Sequence, residues 1–282
     1  MNALPLFFDG AIGTLLLNLG FKDCFPILNL KYPELIKNIH LKYIKSGANI
    51  IKTNTFNADL NSLKICNAEK KIYEINDKAV KLVKEAVDLS NMKEKIFIAG
   101  DIGPSIKRYY ETDENLFIKS AYLQTKSFIE NNVDFVLLET MVSLYEIKLL
   151  LKGILNAFYD YNKKIKIIVS ITPDKNGNFV FDGNFEELKK IKEIDYLGLN
   201  CGSGCQSFKR ALKKADFDFL APSLGIPEYK NNSFFYTKSP FDFFREIKGL
   251  NINKISFIGA CCGTNPNFMR DFFKILKSDF ES

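Results

Sequence analysis

The sequence contains a single histidine and has no long apolar run, and both absences narrow the classes of protein that it can encode. His40 falls inside a helical pattern, so we expect a packed or surface side chain and no Cys-His catalytic pair. No apolar stretch approaches the roughly 18–20 residues of a membrane span. The N-terminus, MNALPLFFDG, lacks the cationic segment and apolar core of a signal peptide. We therefore expect a cytoplasmic protein.

No G-x-G-x-x-G turn, linker, low-complexity tract or internal repeat interrupts the chain, which favours one domain over residues 1–282. The net charge of +6 comes from lysines mixed with acidic residues, as in residues 70–85. This mixing indicates a solvated surface and argues against nucleic-acid binding.

Six cysteines, two of them adjacent, make a poor disulfide framework for 282 residues. A reducing compartment fits better, with some thiols kept for metal binding or catalysis. Cys24 and Cys66 fall in loop or helix positions, where we expect structural roles.

Short apolar runs recur along the chain, each followed by a helical pattern such as residues 33–47 or 144–158. Several runs are apolar throughout, as buried parallel strands are. Pro33 suits the first turn of its helix, and Gly47 suits its end. Eight such units predict an α/β fold, a single-domain (β/α)8 TIM barrel, with an open doubly wound sheet as the alternative. The predicted strands are 5–10, 49–55, 95–101, 133–140, 164–172, 195–201, 218–225 and 256–262.

Active sites of such barrels lie at the C-terminal ends of the strands. Acids, amides and three thiols are predicted to face this one mouth. Because a single strand separates the sixth from the eighth, Cys201 is expected to approach the Cys261-Cys262 pair. The residues at the strand ends are Asp9-Gly10, Thr53-Asn54-Thr55, Asp101, Glu139-Thr140, Thr172, Asn200-Cys201, Ser223 and Cys261-Cys262.

Three thiolates with one vacant position describe a soft metal site that can bind a sulfur substrate. Cys201, Cys261 and Cys262 are the predicted ligands, and Cys205 is a possible competitor at the start of a helix. Three alternatives remain at this point. The thiols could be small buried hydrophobes, ligands of an iron–sulfur or redox centre with Cys205 as the fourth, or stabilising groups in a non-catalytic, partner-binding barrel.

Asp9 and the following Gly10–Gly13 segment match the two charges of an amino acid. The carboxylate can receive an ammonium, and bare backbone N–H groups can receive a carboxylate. The simpler alternatives are a turn-forming role for Asp9 and a helix-capping or lysine-pairing role for Glu139.

The motifs resemble the homocysteine S-methyltransferase family, and within it most of all the homocysteine-binding module of cobalamin-dependent methionine synthase. The departures are Ala260, where the family usually has glycine, and Ser223, where it often has asparagine near the metal. The matching stretches are FFDGAIGT (7–14), NLKYPELIKNIHLKYIKSGANIIKTNTFN (29–57), GDIGP (100–104), VDFVLLET (133–140), LGLNCG (197–202) and IGACCGTNP (258–266).

This resemblance implies a zinc-dependent methyltransferase of methionine biosynthesis, in which zinc-bound homocysteine thiolate attacks a donor methyl group. It implies that Cys201, Cys261 and Cys262 bind Zn²⁺, while Asp9 and Glu139 hold the substrate ammonium. Backbone N–H groups near Gly10 and Ala11 would receive the substrate carboxylate.

The resemblance favours methylcobalamin and methyltetrahydrofolate as the route of the methyl group. S-methylmethionine or betaine as a direct donor is the alternative. The corrinoid route implies corrinoid- or folate-binding modules, on a separate chain or elsewhere in a longer protein.

Overall fold

A computed structural model of the chain describes residues 4–22, 24–230, 233–250 and 252–281. The eight barrel strands are β1 (Leu6–Phe7), β2 (Ile50–Lys52), β3 (Phe97–Ile102), β4 (Phe135–Met141), β5 (Lys166–Ile171), β6 (Tyr196–Cys201), β7 (Phe219–Pro222) and β10 (Phe257–Ile258). They are parallel and form one sheet in the order β1-β10-β7-β6-β5-β4-β3-β2. A parallel bridge between Phe8 and Ile50 joins the first strand to the second and closes the sheet into a barrel. The predicted (β/α)8 barrel and all eight predicted strands are confirmed.

Helices surround the barrel and follow its strands. The α-helices are α1 (Ile12–Asn18), α2 (Leu28–Lys31), α3 (Pro33–Lys45), α4 (Leu60–Leu63), α5 (Ile72–Ser90), α6 (Glu114–Glu130), α7 (Leu144–Asp160), α8 (Phe185–Leu188), α9 (Cys205–Ala211), α10 (Pro240–Lys248) and α11 (Pro266–Glu281). Short 3₁₀ turns lie at Phe25–Ile27, Lys64–Cys66, Glu69–Lys71, Tyr109–Glu111 and Ile252–Lys254. The described residues include no helix long and apolar enough to cross a bilayer.

Alternation along each strand divides the apolar residues between two cores. In β4, Phe135 and Leu137 belong to a cluster inside the barrel, while Val136 and Leu138 belong to the larger cluster beneath the helices. Because both faces of each strand are buried, the strands appear in the sequence as continuous apolar runs. The interior cluster consists of Phe8, Ile50, Ala99, Phe135, Leu137, Ile168, Phe219, Ala221 and Phe257.

Helix α3 shows how local sequence sets the boundaries of one element. Pro33 is its first residue, where its missing N–H costs no hydrogen bond. Gly47 follows the helix with a φ of +98°, which strains any residue with a side chain. Its N–H donates to the carbonyl of Ile44. Both predicted boundary signals are confirmed.

Two features differ from the sequence expectations. A short antiparallel hairpin, β8 (Glu228–Lys230) with β9 (Ser233–Phe235), follows the seventh barrel strand and was not predicted. Cys24 and Cys66, for which structural roles were expected, form a disulfide with a Cα–Cα distance of 6.1 Å that was not predicted. Both residues pack on one apolar cluster around Leu63, which brings the two distant segments together.

Candidate active site

The thiol cluster is built on β7, the strand between β6 and β10. Cys201, the last residue of β6, is in register with Pro222 of β7. The N–H of Cys261, just beyond β10, donates to the carbonyl of the same Pro222 at 2.9 Å. The ends of β6 and β10 are therefore held at one level of the barrel mouth, and residues distant in sequence meet there.

The structure brings the three predicted thiols together. The Sγ atom of Cys262 lies 3.8 Å from Sγ of Cys201 and 3.8 Å from Sγ of Cys261. All three sulfur atoms lie within 4.8 Å of one another. Within the described ranges, this is the group of cysteine, histidine or acidic residues close enough to hold a metal, and Cys205 is not part of it.

The spacing fits a tetrahedral metal site. Zinc–sulfur bonds of about 2.3 Å at tetrahedral angles place ligand sulfurs roughly 3.8 Å apart, as two of these pairs are. Hydrogen bonds from Cys201 and Cys261 lower the pKa of the Cys262 thiol to about 3. Hydrogen bonds with Cys261 and Cys262, together with burial, raise the pKa of Cys201 far above its usual range. Three thiol donors at this spacing suit a soft divalent cation.

Local backbone geometry directs Cys201 toward the cluster. Its φ is +60°, in the left-handed region that few residues with side chains occupy. The hydroxyl of Ser223 donates to the carbonyl of Gly202 at 2.7 Å and fixes the turn that follows. Strain of this kind persists where surrounding contacts enforce it, and it often marks functional sites.

Asn200 connects the thiol cluster to the neighbouring strands. Its Oδ1 accepts from the N–H of Thr140 and from the hydroxyl of Ser170, both at 2.9 Å. Its Nδ2 donates to Thr140 Oγ1 at 2.7 Å and lies 4.0 Å from Sγ of Cys261. Asn200 was expected at a strand end, without a role of its own. Its position immediately before Cys201 was the available signal.

A cavity of about 310 Å³ opens beside the thiols at the C-terminal mouth of the barrel. This volume is at the lower end of the range for small-molecule sites. The wall combines the thiols with acidic, amide and apolar groups. The lining residues are Ala11, Ile12, Gly13, Thr14, Phe25, Pro26, Lys52, Thr53, Asn54, Phe56, Asn57, Asp101, Glu139, Thr140, Cys201, Cys261 and Cys262.

Lys52 forms the centre of a buried charge cluster that sequence analysis missed. Its Nζ lies 2.7 Å from Glu139 Oε1 and 3.8 Å from Asp9 Oδ1. Burial raises the pKa of Asp9 to about 7, although the nearby Lys52 ammonium acts in the opposite direction. The signal was a lysine inside the apolar run NIIKTNT, at the mouth end of β2.

The residues predicted to bind the ammonium and carboxylate of an amino acid differ in whether they line the cavity. Glu139 lines the cavity, whereas Asp9 and Gly10 are not among the lining residues. Ala11 lines the cavity, but its N–H donates to Thr264 Oγ1 at 3.1 Å. His40 is fully buried in α3, in agreement with the expectation of a packed side chain.

The chain has relatives among known proteins in both sequence and structure. The chain is 25% identical to the methionine synthases of Mycobacterium leprae (strain TN) and Mycobacterium tuberculosis (strain ATCC 25618 / H37Rv), in each case over 93% of this chain and 24% of the relative. It thus spans about a quarter of the length of these curated relatives. The metallated form of the homocysteine methyltransferase MmuM from Escherichia coli shares the fold, with a TM-score of 0.75 and 17% identity over 96% of both chains. The family model for homocysteine S-methyltransferase matches residues 6–276, and the chain belongs to this family.

Proposed function

We propose that this chain methylates the sulfur of homocysteine and forms methionine, with Zn²⁺ as its cofactor. The observation that carries the proposal is the set of three thiols within 4.8 Å of one another on the wall of a cavity at the barrel mouth. Membership of the homocysteine S-methyltransferase family and similarity to methionine synthases support this substrate and product.

Cys201, Cys261 and Cys262 would hold the metal. A zinc ion bound there would supply the charge that keeps an incoming thiol deprotonated near neutral pH. Asn200 orients this part of the site through its bonds to Thr140 and its contact with the Cys261 sulfur. The cavity beside the cysteines leaves room for a small thiol to approach them.

The acidic end of the cavity suits the amino-acid head group. Glu139 lines the cavity and would contact the substrate ammonium directly. Asp9 would contribute through Lys52, because its Oδ2 accepts from the Lys52 N–H at 3.1 Å and its Oδ1 faces the Lys52 ammonium. The role of backbone N–H groups at Gly10 and Ala11 in binding the substrate carboxylate stays a prediction.

For the methyl donor we favour a methylated corrinoid, itself recharged from a methylated folate. The supporting observations are the TNTF and GACCGT motifs and the similarity to methionine synthases. Corrinoid- and folate-binding modules would lie outside this barrel, on another chain or elsewhere in a longer protein. The competing proposal is a direct sulfonium or ammonium donor.

The test supplies homocysteine with methylcobalamin, S-methylmethionine and betaine in parallel, and measures methionine. We expect one zinc per chain and methionine formation with methylcobalamin. Cys261→Ser should lose both zinc and turnover, whereas Cys205→Ser, a matched change outside the thiol cluster, should keep both. Full zinc binding and turnover by Cys261→Ser would refute the assignment of the metal site, and turnover with only S-methylmethionine or betaine would refute the corrinoid donor.

A further inference from the structure

The disulfide between Cys24 and Cys66 connects two chain segments that form part of the cavity wall. Phe25, which follows Cys24 directly, lines the cavity, and so does Asn54 in the loop after β2. That loop leads through α4 to the 3₁₀ turn that ends at Cys66. Neither cysteine is among the described lining residues, so the disulfide joins the two segments from outside the cavity.

Phe25 is held in the wall by contacts on both sides. Its carbonyl accepts from the Asn54 side-chain amide at 3.0 Å. Its ring lies beside Gly13 of α1, since a carbon added to Gly13 would be 3.7 Å from it. Cys24, at the start of this turn, has a φ of +42°, in the left-handed region. A backbone of this kind persists where surrounding contacts enforce it, and the crosslink to Cys66 is one such contact.

The surroundings of the disulfide suit exchange with small thiols. Cys24 and Cys66 are both half-buried, so a thiolate from solvent can reach a sulfur atom. Lys22 and Lys64, both exposed, lie two residues away in the chain and would attract an anionic thiol such as glutathione. A zinc site of three cysteines functions only while its thiols stay reduced, so the active protein would meet a reducing thiol pool.

We propose that the Cys24–Cys66 pair is a site of reversible thiol–disulfide exchange with small anionic thiols, and that its oxidation state sets how tightly the cavity binds its substrate. In the reducing direction, the thiolate of a small thiol attacks one sulfur, the bond between the cysteines breaks, and the displaced cysteine takes up a proton. A second small thiol attacks the mixed disulfide and releases the other cysteine as a thiol. The cysteines thereby gain two electrons and two protons, and the small thiols leave as their own disulfide, which is the oxidant of the reverse reaction.

The oxidised pair keeps Phe25 in place before the substrate arrives. After reduction the segment that carries Phe25 is released, and the substrate must order it on binding. Ordering one such side chain weakens binding roughly 3- to 10-fold. The proposal rests on the proposed function only in taking homocysteine as the ligand of the cavity.

The first test uses Cys24→Ser and Cys66→Ser, which fix the pair in its uncrosslinked state. Calorimetry on the zinc-loaded variants should give homocysteine affinities roughly 3- to 10-fold below that of the oxidised wild type. Mass spectrometry after each titration confirms that the wild-type disulfide is intact. Cys205→Ser is the matched control, with the same chemical change outside the pair and the thiol cluster, and should keep the wild-type affinity.

Thermal unfolding separates a purely structural crosslink from an exchange site. Loss of the disulfide should lower the melting temperature of both variants by roughly 4–10 °C in either case. A lower melting temperature with unchanged homocysteine affinity in both variants would therefore overturn the proposal.

The second test needs no variant and decides the matter if neither variant folds. Zinc-loaded wild type is equilibrated with mixtures of reduced and oxidised glutathione, free thiols are blocked with N-ethylmaleimide, and the peptides carrying Cys24 and Cys66 are identified by mass spectrometry. We expect the pair to convert from disulfide to two thiols as reduced glutathione increases, at constant zinc content, and homocysteine affinity to fall with the oxidised fraction. A pair that stays oxidised in a large excess of reduced glutathione, or an affinity independent of its state, would overturn the proposal.

Methyl transfer, measured separately, distinguishes this proposal from the proposed function. Homocysteine binding that follows the state of the pair, without methionine formation, would contradict the function and support the exchange site. Methionine formation with binding independent of the pair would do the reverse. Absence of homocysteine binding in either state would contradict both.

Discussion

Replacement of Asn200 by alanine should weaken both the fold and the metal site. The side chain is fully buried and makes three hydrogen bonds of 2.7–2.9 Å with Thr140 and Ser170. Alanine would leave at least the Thr140 N–H and one hydroxyl without partners. At about 1–3 kcal/mol for each group, we expect a loss of about 3 kcal/mol in the free energy of unfolding.

For a chain of this size, such a loss lowers the melting temperature by roughly 6–12 °C. Because Asn200 also contacts the Cys261 sulfur at 4.0 Å, we expect zinc affinity to fall about 10- to 100-fold, as when groups that orient ligands are removed. The assays are thermal unfolding by circular dichroism and competition for zinc with a chromophoric chelator.

The matched control is Asn76→Ala. Asn76 is equally buried and donates to the carbonyls of Ala58 and Ile72, at 3.2 and 2.7 Å, but lies in α5 outside the cavity wall. It should lose a comparable amount of stability and keep its zinc affinity. Equal zinc affinity in the two variants would refute the reasoning that Asn200 orients the thiol cluster.

Two further predictions concern stability alone. Burial holds the pKa of His40 at about 3, below its ordinary value of 6.5, so the folded state binds fewer protons than the unfolded state. The contribution of neutral His40 to the free energy of unfolding is present above pH 6.5 and is lost as the pH falls toward 3. Between pH 6.5 and 5, the free energy of unfolding measured in urea should fall by about 2 kcal/mol more in the wild type than in His40→Leu. An equal fall in both proteins would contradict this. Gly100→Ala would place a methyl group 2.5 Å from the Phe128 ring and should cost about 1–3 kcal/mol. Gly13→Ala, whose added carbon would have its nearest neighbour at 3.7 Å, is its control, and equal melting temperatures for both would refute the packing argument.

The sequence was sufficient to predict the barrel and the meeting of the thiols. Parallel strands buried on both faces are apolar throughout, so their positions are visible without alternation. The order of strands in a barrel follows the order of units in the chain. From these two regularities, Cys201 and the Cys261-Cys262 pair were expected on either side of β7, where the structure has them.

What the sequence did not reveal depends on side-chain direction and on packing between distant segments. The predicted strand ends included Asp9 and Asp101 alike, and only the structure shows that Lys52 covers the first and leaves the second on the cavity wall. The disulfide between Cys24 and Cys66 likewise depends on the packing of two segments 42 residues apart. Such contacts carry no local periodicity, so no pattern in the chain predicts them.

The charges at the barrel mouth connect the metal site with the buried carboxylates around Lys52. Two thiolates about 4 Å apart repel each other by about 4 kcal/mol at an effective dielectric constant of 20, so three ionised cysteines in this cluster require a cation among them. The carboxylates of Asp9, Asp101 and Glu139 add negative charge nearby, and Lys52 is the one basic residue on the described cavity wall. A divalent metal at the thiols would reduce this excess of negative charge, and a substrate ammonium near Glu139 would reduce it further. Zinc would supply the cation at the thiols, whereas only a thiol that carries an amino group supplies one at the carboxylates.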